Sequence, residues 1–152
     1  MDEQSMISLT TELLEIQQVI ASVETPEAGA IDIFIGTTRA HAHDRSVLWL
    51  EYEAYEPMAL TMLERLAEEA RTRWPVRNIS MVHRLGRVNI GEASVIIAVS
   101  SAHRNEAFTA CRFLIDELKK VVPIWKKEYF SDGTVEWSPQ AHEQQGVPAG
   151  EP

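Results

Sequence analysis

Cysteine is all but missing: Cys111 is the one thiol in the chain, so no intrachain disulfide can form. It shares a helical face with Ala107, Leu114, Ile115 and Leu118, which predicts a buried, inert side chain rather than a nucleophile. No apolar run reaches the roughly 18 residues of a membrane-spanning helix. The first thirty residues hold six acids and no base, the opposite of a secretory or organellar presequence, so a cytoplasmic protein is expected. Bases are scarce throughout. The 14 Lys and Arg against 23 Asp and Glu give a net charge of −9, which argues against nucleic acid or an anionic membrane as partner. His41 and His43 form H-x-H, but no cysteine or acid–histidine set completes a recognised spacing, and no metal is expected. No P-loop, dinucleotide-binding glycine fingerprint or nucleophile elbow occurs, and no cofactor is expected.

What the chain does have is apolar content sufficient for a core. Its 152 residues, 45% hydrophobic, predict a single domain over residues 1–138 and a mobile polar tail over 139–152. Residues 7–11 read as a short strand, and 12–22 show a moderate helical pattern. Residues 30–38 and 46–54, rich in β-branched and aromatic side chains, read as two antiparallel strands joined by an exposed polar loop. Pro57 suits the first turn of a helix whose stripe of Ala59, Leu63, Leu66, Ala67, Ala70 and Trp74 runs until Pro75 stops it. Strands over 76–85 and 93–100 flank a turn between Gly86 and Gly91 in which Val88 and Ile90 have room to pair. The run Val95-Ile96-Ile97-Ala98-Val99 reads as buried on both faces. A second helix from His103 turns Ala107, Cys111, Leu114, Ile115, Leu118 and Val122 inward and ends at Pro123. A strand over 124–130 returns along 134–137 through Asp132-Gly133, a strong hairpin signal. This order predicts an α+β fold with a largely antiparallel sheet and two main helices.

The charge is unevenly placed. All four lysines, Lys119, Lys120, Lys126 and Lys127, fall within nine consecutive residues, in a segment from His103 to Lys127 that is +3 inside a −9 chain. Clustered lysines usually mark a solvated helix face; the alternative is a local anion site. His103 and Arg104 form a cation pair where a helix begins and the macrodipole is already positive. A phosphate there would accept free backbone N–H groups together with bonds from both side chains; a solvated pair is the plainer reading. Arg39 follows Gly36-Thr37-Thr38 where a strand enters a loop, a position suited to presenting a guanidinium to a ligand. Lys119 near the helix end and Lys126 past the Pro123 bend have the reach to share one pocket, each easing proton loss from the other. Dipole capping by Lys119 and Lys120 is the competing reading. His83-Arg84 ends a strand and reads as a hydrogen-bonding pair at a sheet edge.

Several segments occur in a telling order: Phe34-Ile35-Gly36-Thr37-Thr38-Arg39, Leu50-Glu51-Tyr52-Glu53-Ala54-Tyr55-Glu56-Pro57-Met58-Ala59, His83-Arg84-Leu85-Gly86 and Gly91-Glu92. Ser101-Ala102-His103-Arg104 then leads through Ala107-Phe108 and Leu118-Lys119 to Pro123-Ile124-Trp125-Lys126-Lys127-Glu128. On these motifs, over about residues 30–138, the chain resembles the molybdopterin synthase large-subunit family. Two departures stand out. The family's G-x-V-R is here Gly36-Thr37-Thr38-Arg39, and the loop after Arg39 carries His41 and His43 where a glycine is often found.

The resemblance implies an α/β-hammerhead-like fold and a sulfurtransferase that converts cyclic pyranopterin monophosphate to molybdopterin. The two sulfurs would come from the Gly-Gly thiocarboxylate of a small ubiquitin-like carrier subunit, with a homodimer at the centre of a heterotetramer. It further implies that Arg39, His103 and Arg104 hold phosphate and pterin, the last two from their own chain or across the dimer interface. Thr37, Thr38, Lys127 and Glu128 would line the site, and Lys119 and Lys126 would perform the chemistry. The contrasting expectation is a non-catalytic, phosphate-recognising module that docks a ubiquitin-like partner, its lysines serving electrostatics alone.

Overall fold

The computed structural model describes residues 5–139. In chain order these form β1 (Ile7–Thr10), α1 (Ile16–Val23), β2 (Ala30–Thr37), β3 (His41–Ala42), β4 (Arg45–Ala54) and α2 (Glu56–Arg73). There follow β5 (Val76–Arg84), β6 (Gly86–Asn89), β7 (Ala93–Ser101), α3 (Arg104–Val121), β8 (Ile124–Phe130) and β9 (Val135–Pro139). The fold is α+β, as the element order predicts. The expected mobile tail lies outside the described residues except for Pro139, which ends β9.

Two sheets share the strands. One has the order β1-β5-β7-β2, and the other runs β3-β4-β8-β9 with β6 also paired to β4. Every pairing is antiparallel except that of β1 with β5. Strand β7 explains the layering of the first sheet. Its side chains alternate, so Val95, Ile97 and Val99 join the core under α2 and α3, while Ile96 and Ala98 meet Val19 and Val23 of α1. The continuous apolar run is thus buried on both faces, as expected for a strand covered by helices on either side.

The two long helices follow their stripes. Ala59, Leu63, Leu66, Ala67 and Ala70 of α2 are buried, as are Ala107, Ala110, Cys111, Leu114 and Leu118 of α3. Pro57 occupies the first turn of α2, while α3 hands over to an extended Val122 before Pro123. Leu114 is fully buried, so Leu114→Ala is expected to cost about 2–5 kcal/mol, measurable by urea unfolding of the folded variant.

One expected pairing is wrong. The strands around 30–38 and 46–54 do not form one antiparallel pair: β2 lies against β7, and β4 lies against β6 and β8 in the other sheet. Two physical causes are visible. A strand buried on both faces needs a neighbour on each edge, and β7 takes β2 as one of them. The polar segment after Arg39 also turns back on β4 itself, forming β3 through a turn in which His43 and Asp44 adopt φ of 55° and 61°. That left-handed backbone suits Asp and His better than most side chains. Asp132-Gly133 makes the expected hairpin, with Gly133 at φ 91° and the Asp132 carboxylate accepting from Thr134 N and Oγ1.

Candidate functional site

A cavity of about 180 Å³ opens where the chain passes from the first sheet to the second. Its wall includes Thr37 at the end of β2 and Arg39 just beyond it, Tyr52 from β4, Lys119 from the last turn of α3, and Lys126 and Glu128 from β8. Three cations and one carboxylate therefore line the same cavity. Glu128 is 4% exposed, with Lys126 Nζ 4.0 Å from one oxygen and His43 Nε2 3.5 Å from the other. An anion entering this space meets a local excess of positive charge in a chain that is acidic overall.

Backbone geometry decides who faces the cavity. On β8, residues of one parity pair across to Tyr52 and Leu50 of β4 and point inward: these are Lys126 and Glu128. Lys127 belongs to the other parity. Its ammonium sits 5.4 Å from the Tyr129 ring and 5.0 Å from the Trp137 ring, on the outer face, where the Tyr129 hydroxyl raises its affinity for a proton. On β2, the ladder shifts register between Gly36 and Thr37. A Cβ at Gly36 would stand 2.8 Å from Val95 Cγ1, so glycine is what lets the two strands approach there. Thr37 faces the cavity, whereas Thr38 is buried and pins the turn before β7: its hydroxyl and amide both donate to the Glu92 carbonyl. Arg84 holds the same turn through a 2.9 Å ion pair with Glu92, whose carboxyl is kept below its ordinary pKa first by the Asn89 amide.

The two cations at the start of α3 lie elsewhere. His103 and Arg104 are exposed, and His103 lines a separate depression with Pro75, Arg77 and Glu106. From Arg104 to Lys119, at about 1.5 Å rise per residue, the helix spans roughly 22 Å. Within one chain, then, the fold joins Thr37, Arg39, Lys119, Lys126 and Glu128, and keeps Thr38, Lys127, His103 and Arg104 out of the cavity. Lys120, paired with Lys119 in the dipole-capping reading, is exposed and 3.5 Å from Glu117. Tyr52, Ser94 and His41 also line the cavity and were not singled out as its residues from sequence. Strand alternation of Tyr52 with Leu50 was the one available signal.

Cys111 takes no part. Its thiol is buried, 3.8 Å from the Ile97 carbonyl, and its pKa is pushed up to about 12, first by burial and then by Asp32. Little thiolate exists at neutral pH, so a thiol-alkylating reagent is expected to leave native Cys111 essentially unmodified at pH 8 while labelling it quickly in denaturant. Among the described residues, no three His, Cys, Asp or Glu side chains come together as a metal site. No helix among them is long and apolar enough to cross a membrane.

A family model described as MoaE protein matches residues 9–121. The chain belongs to the MoaE family. Curated relatives of this MoaE chain include molybdopterin synthase catalytic subunit 1 of Aedes aegypti, 49% identical over 128 residues, which are 84% of this chain and 83% of that one. The molybdopterin synthase catalytic subunit of Bacillus subtilis is 42% identical over 144 residues, 95% of this chain and 91% of its own. Among solved structures, the crystal structure of molybdopterin synthase from Staphylococcus aureus superposes with a TM-score of 0.83 at 36% identity, covering 89% of this chain and 96% of that one. A chain from the Helicobacter pylori complex of subunits 1 and 2 of molybdopterin-converting factor shares the fold, with a TM-score of 0.68 at 22% identity, covering 88% and 89%.

Proposed function

We propose that this MoaE-family chain is the catalytic subunit of a cytoplasmic molybdopterin synthase. It would convert cyclic pyranopterin monophosphate to molybdopterin with two sulfurs delivered on the Gly-Gly thiocarboxylate of a small ubiquitin-like carrier. The observation that carries the reading is the meeting of Arg39 with Lys119 and Lys126, eighty or more residues further along the chain, around one cavity. Family membership and the names of the relatives support it.

The residues divide the work by position. Arg39 offers a forked donor to the phosphate, and Thr37 adds a hydroxyl beside it. Lys119 and Lys126 move protons at the reacting carbons and oxygens and steady negative charge as the cyclic phosphate opens. Glu128, buried next to Lys126, orients that ammonium. Sulfur has to arrive on a partner, because the one thiol of this chain is buried away from the cavity. His103 and Arg104 lie too far along α3 to serve their own cavity. In this reading they complete the cavity of a second copy in a central homodimer, flanked by one carrier on each side. Thr38 and Lys127 act from outside the cavity, Thr38 by fixing the turn before β7 and Lys127 by cementing the outer aromatic face.

Mixing the protein with thiocarboxylated carrier and cyclic pyranopterin monophosphate tests this directly, with a dithiolene product expected by mass spectrometry. Carrier binding without product would instead mark a docking module. Arg39→Ala is expected to raise KM for the precursor roughly tenfold to a hundredfold, with a smaller change in kcat, since a charged hydrogen bond contributes about 1.5–3 kcal/mol. An unchanged KM would remove Arg39 from the phosphate site.

A further inference from the structure

Behind the cavity wall sits a titratable group that the proposed chemistry leaves unused. His83 of β5 is 1% exposed, and its neighbour across the β5–β7 ladder is Val95, which lines the cavity next to Ser94. It is not at a sheet edge, as the sequence suggested, because β1 covers the far side of β5. The ring stands edge-on to Tyr52, with centroids 5.0 Å apart and planes at 70°. Tyr52 is itself part of the wall and pairs across β4–β8 with Lys126. His83 Nδ1 lies 2.8 Å from the Arg84 carbonyl. A carbonyl only accepts, so Nδ1 carries the proton. Burial, and after it the charge of Lys119, keeps the ring neutral, its pKa lowered to about 4 despite the Arg84 bond. Nε2 is therefore the ring's acceptor, and the Tyr52 ring it accompanies shares the cavity wall with Lys119.

We propose that His83 is a positioning residue for the reaction: a neutral imidazole, locked in one tautomer, that sets Tyr52 and the Lys119 ammonium in place from behind the cavity wall. This rests on the reading of the cavity as the molybdopterin synthase site. His83 itself touches no substrate.

Two substitutions separate the two nitrogens. Asparagine keeps a donor near Nδ1 and removes the acceptor; glutamine brings an amide oxygen to where Nε2 stands. The first readout needs no turnover: the rate at which an amine-acylating reagent labels Lys119, followed by mass spectrometry against exposed Lys120 in the same helix turn. His83→Asn is expected to raise the Lys119-to-Lys120 ratio by about threefold or more, while His83→Gln stays within about twofold of the unmodified protein. An unchanged ratio in both variants overturns the proposal, and so does an equal rise in both, the sign of loosened packing alone.

Should His83→Asn fail to fold, imidazole ¹⁵N shifts carry the test. They are expected to show a neutral, Nδ1-protonated ring between about pH 5.5 and 8 that responds to Lys119→Ala. A ring protonated at Nε2, or indifferent to that substitution, overturns the proposal. With carrier and precursor supplied, His83→Asn is expected to lower kcat about tenfold at unchanged KM, with recovery in His83→Gln. Absence of product from the unmodified protein would defeat the functional reading, while the labelling ratio would still decide whether His83 holds Lys119.

Discussion

Lys119→Ala is expected to abolish formation of molybdopterin, lowering kcat by about 10³-fold or more while the protein folds and binds its carrier almost normally. The magnitude follows from the two roles this ammonium fills. A positioned proton donor or acceptor contributes on the order of 10²–10⁴-fold, and a fixed charge facing developing negative charge adds to that. Folding should survive because Lys119 lies at the end of α3 on the cavity side, past the apolar stripe that anchors the helix at Leu114 and Leu118. Lys120→Ala supplies the control, since that ammonium is exposed beside Glu117 and its loss should leave turnover near normal. Near-normal turnover by Lys119→Ala would remove the role assigned to it.

The folded protein should also lose stability by about 3 kcal/mol as the pH falls from 6.5 to 4 because of His83 alone. The unfolded imidazole takes up a proton near 6.5, whereas the buried one resists until about 4, chiefly because burial strips it of solvent. Between those values the unfolded chain holds more protons, so stability rises with pH, is complete above 6.5, and drains away below. The gap from 6.5 to about 4, at about 1.4 kcal/mol for each pKa unit, sets the size. Urea unfolding at a series of pH values, compared between the unmodified protein and His83→Gln, isolates this contribution. Equal slopes for the two proteins would show that His83 is not held neutral. Glu92 and Asp132, whose carboxyls are held low by hydrogen bonds, add to the acid loss in both proteins at still lower pH.

Much of this architecture was readable from residue order, and the failures have definite causes. The stripes of α2 and α3 and the apolar run of β7 announce their elements because burial imposes a period on the sequence. Strand partnership imposes none. Nothing local to residues 30–54 says that β2 will leave for β7 while β4 takes β6 and β8, since those choices are made by segments well outside that stretch of chain. The same distinction runs through the site. Lys119 and Lys126 were legible as a pair because Pro123 bends the chain between them. Lys127 was expected to line the site beside Lys126, but strand parity sets it on the opposite face, and His103 and Arg104, expected to hold phosphate and pterin, are separated from the cavity of their own chain by the length of α3. Tyr52 went unnoticed and His83 was misplaced because a wall residue and a packing residue use the same side chains.

The alternation along β8 has a consequence for how this chain tolerates changes in length. Deleting or inserting a single residue between Pro123 and Lys126 would exchange the two sides of the strand, sending Lys127 and Tyr129 toward the cavity and expelling Lys126 and Glu128. The turns at His43-Asp44 and Asp132-Gly133 lie beyond the paired segment and transmit no such exchange. Functional variants of different length should therefore differ at those two turns, and keep the spacing from Pro123 to Glu128 unaltered.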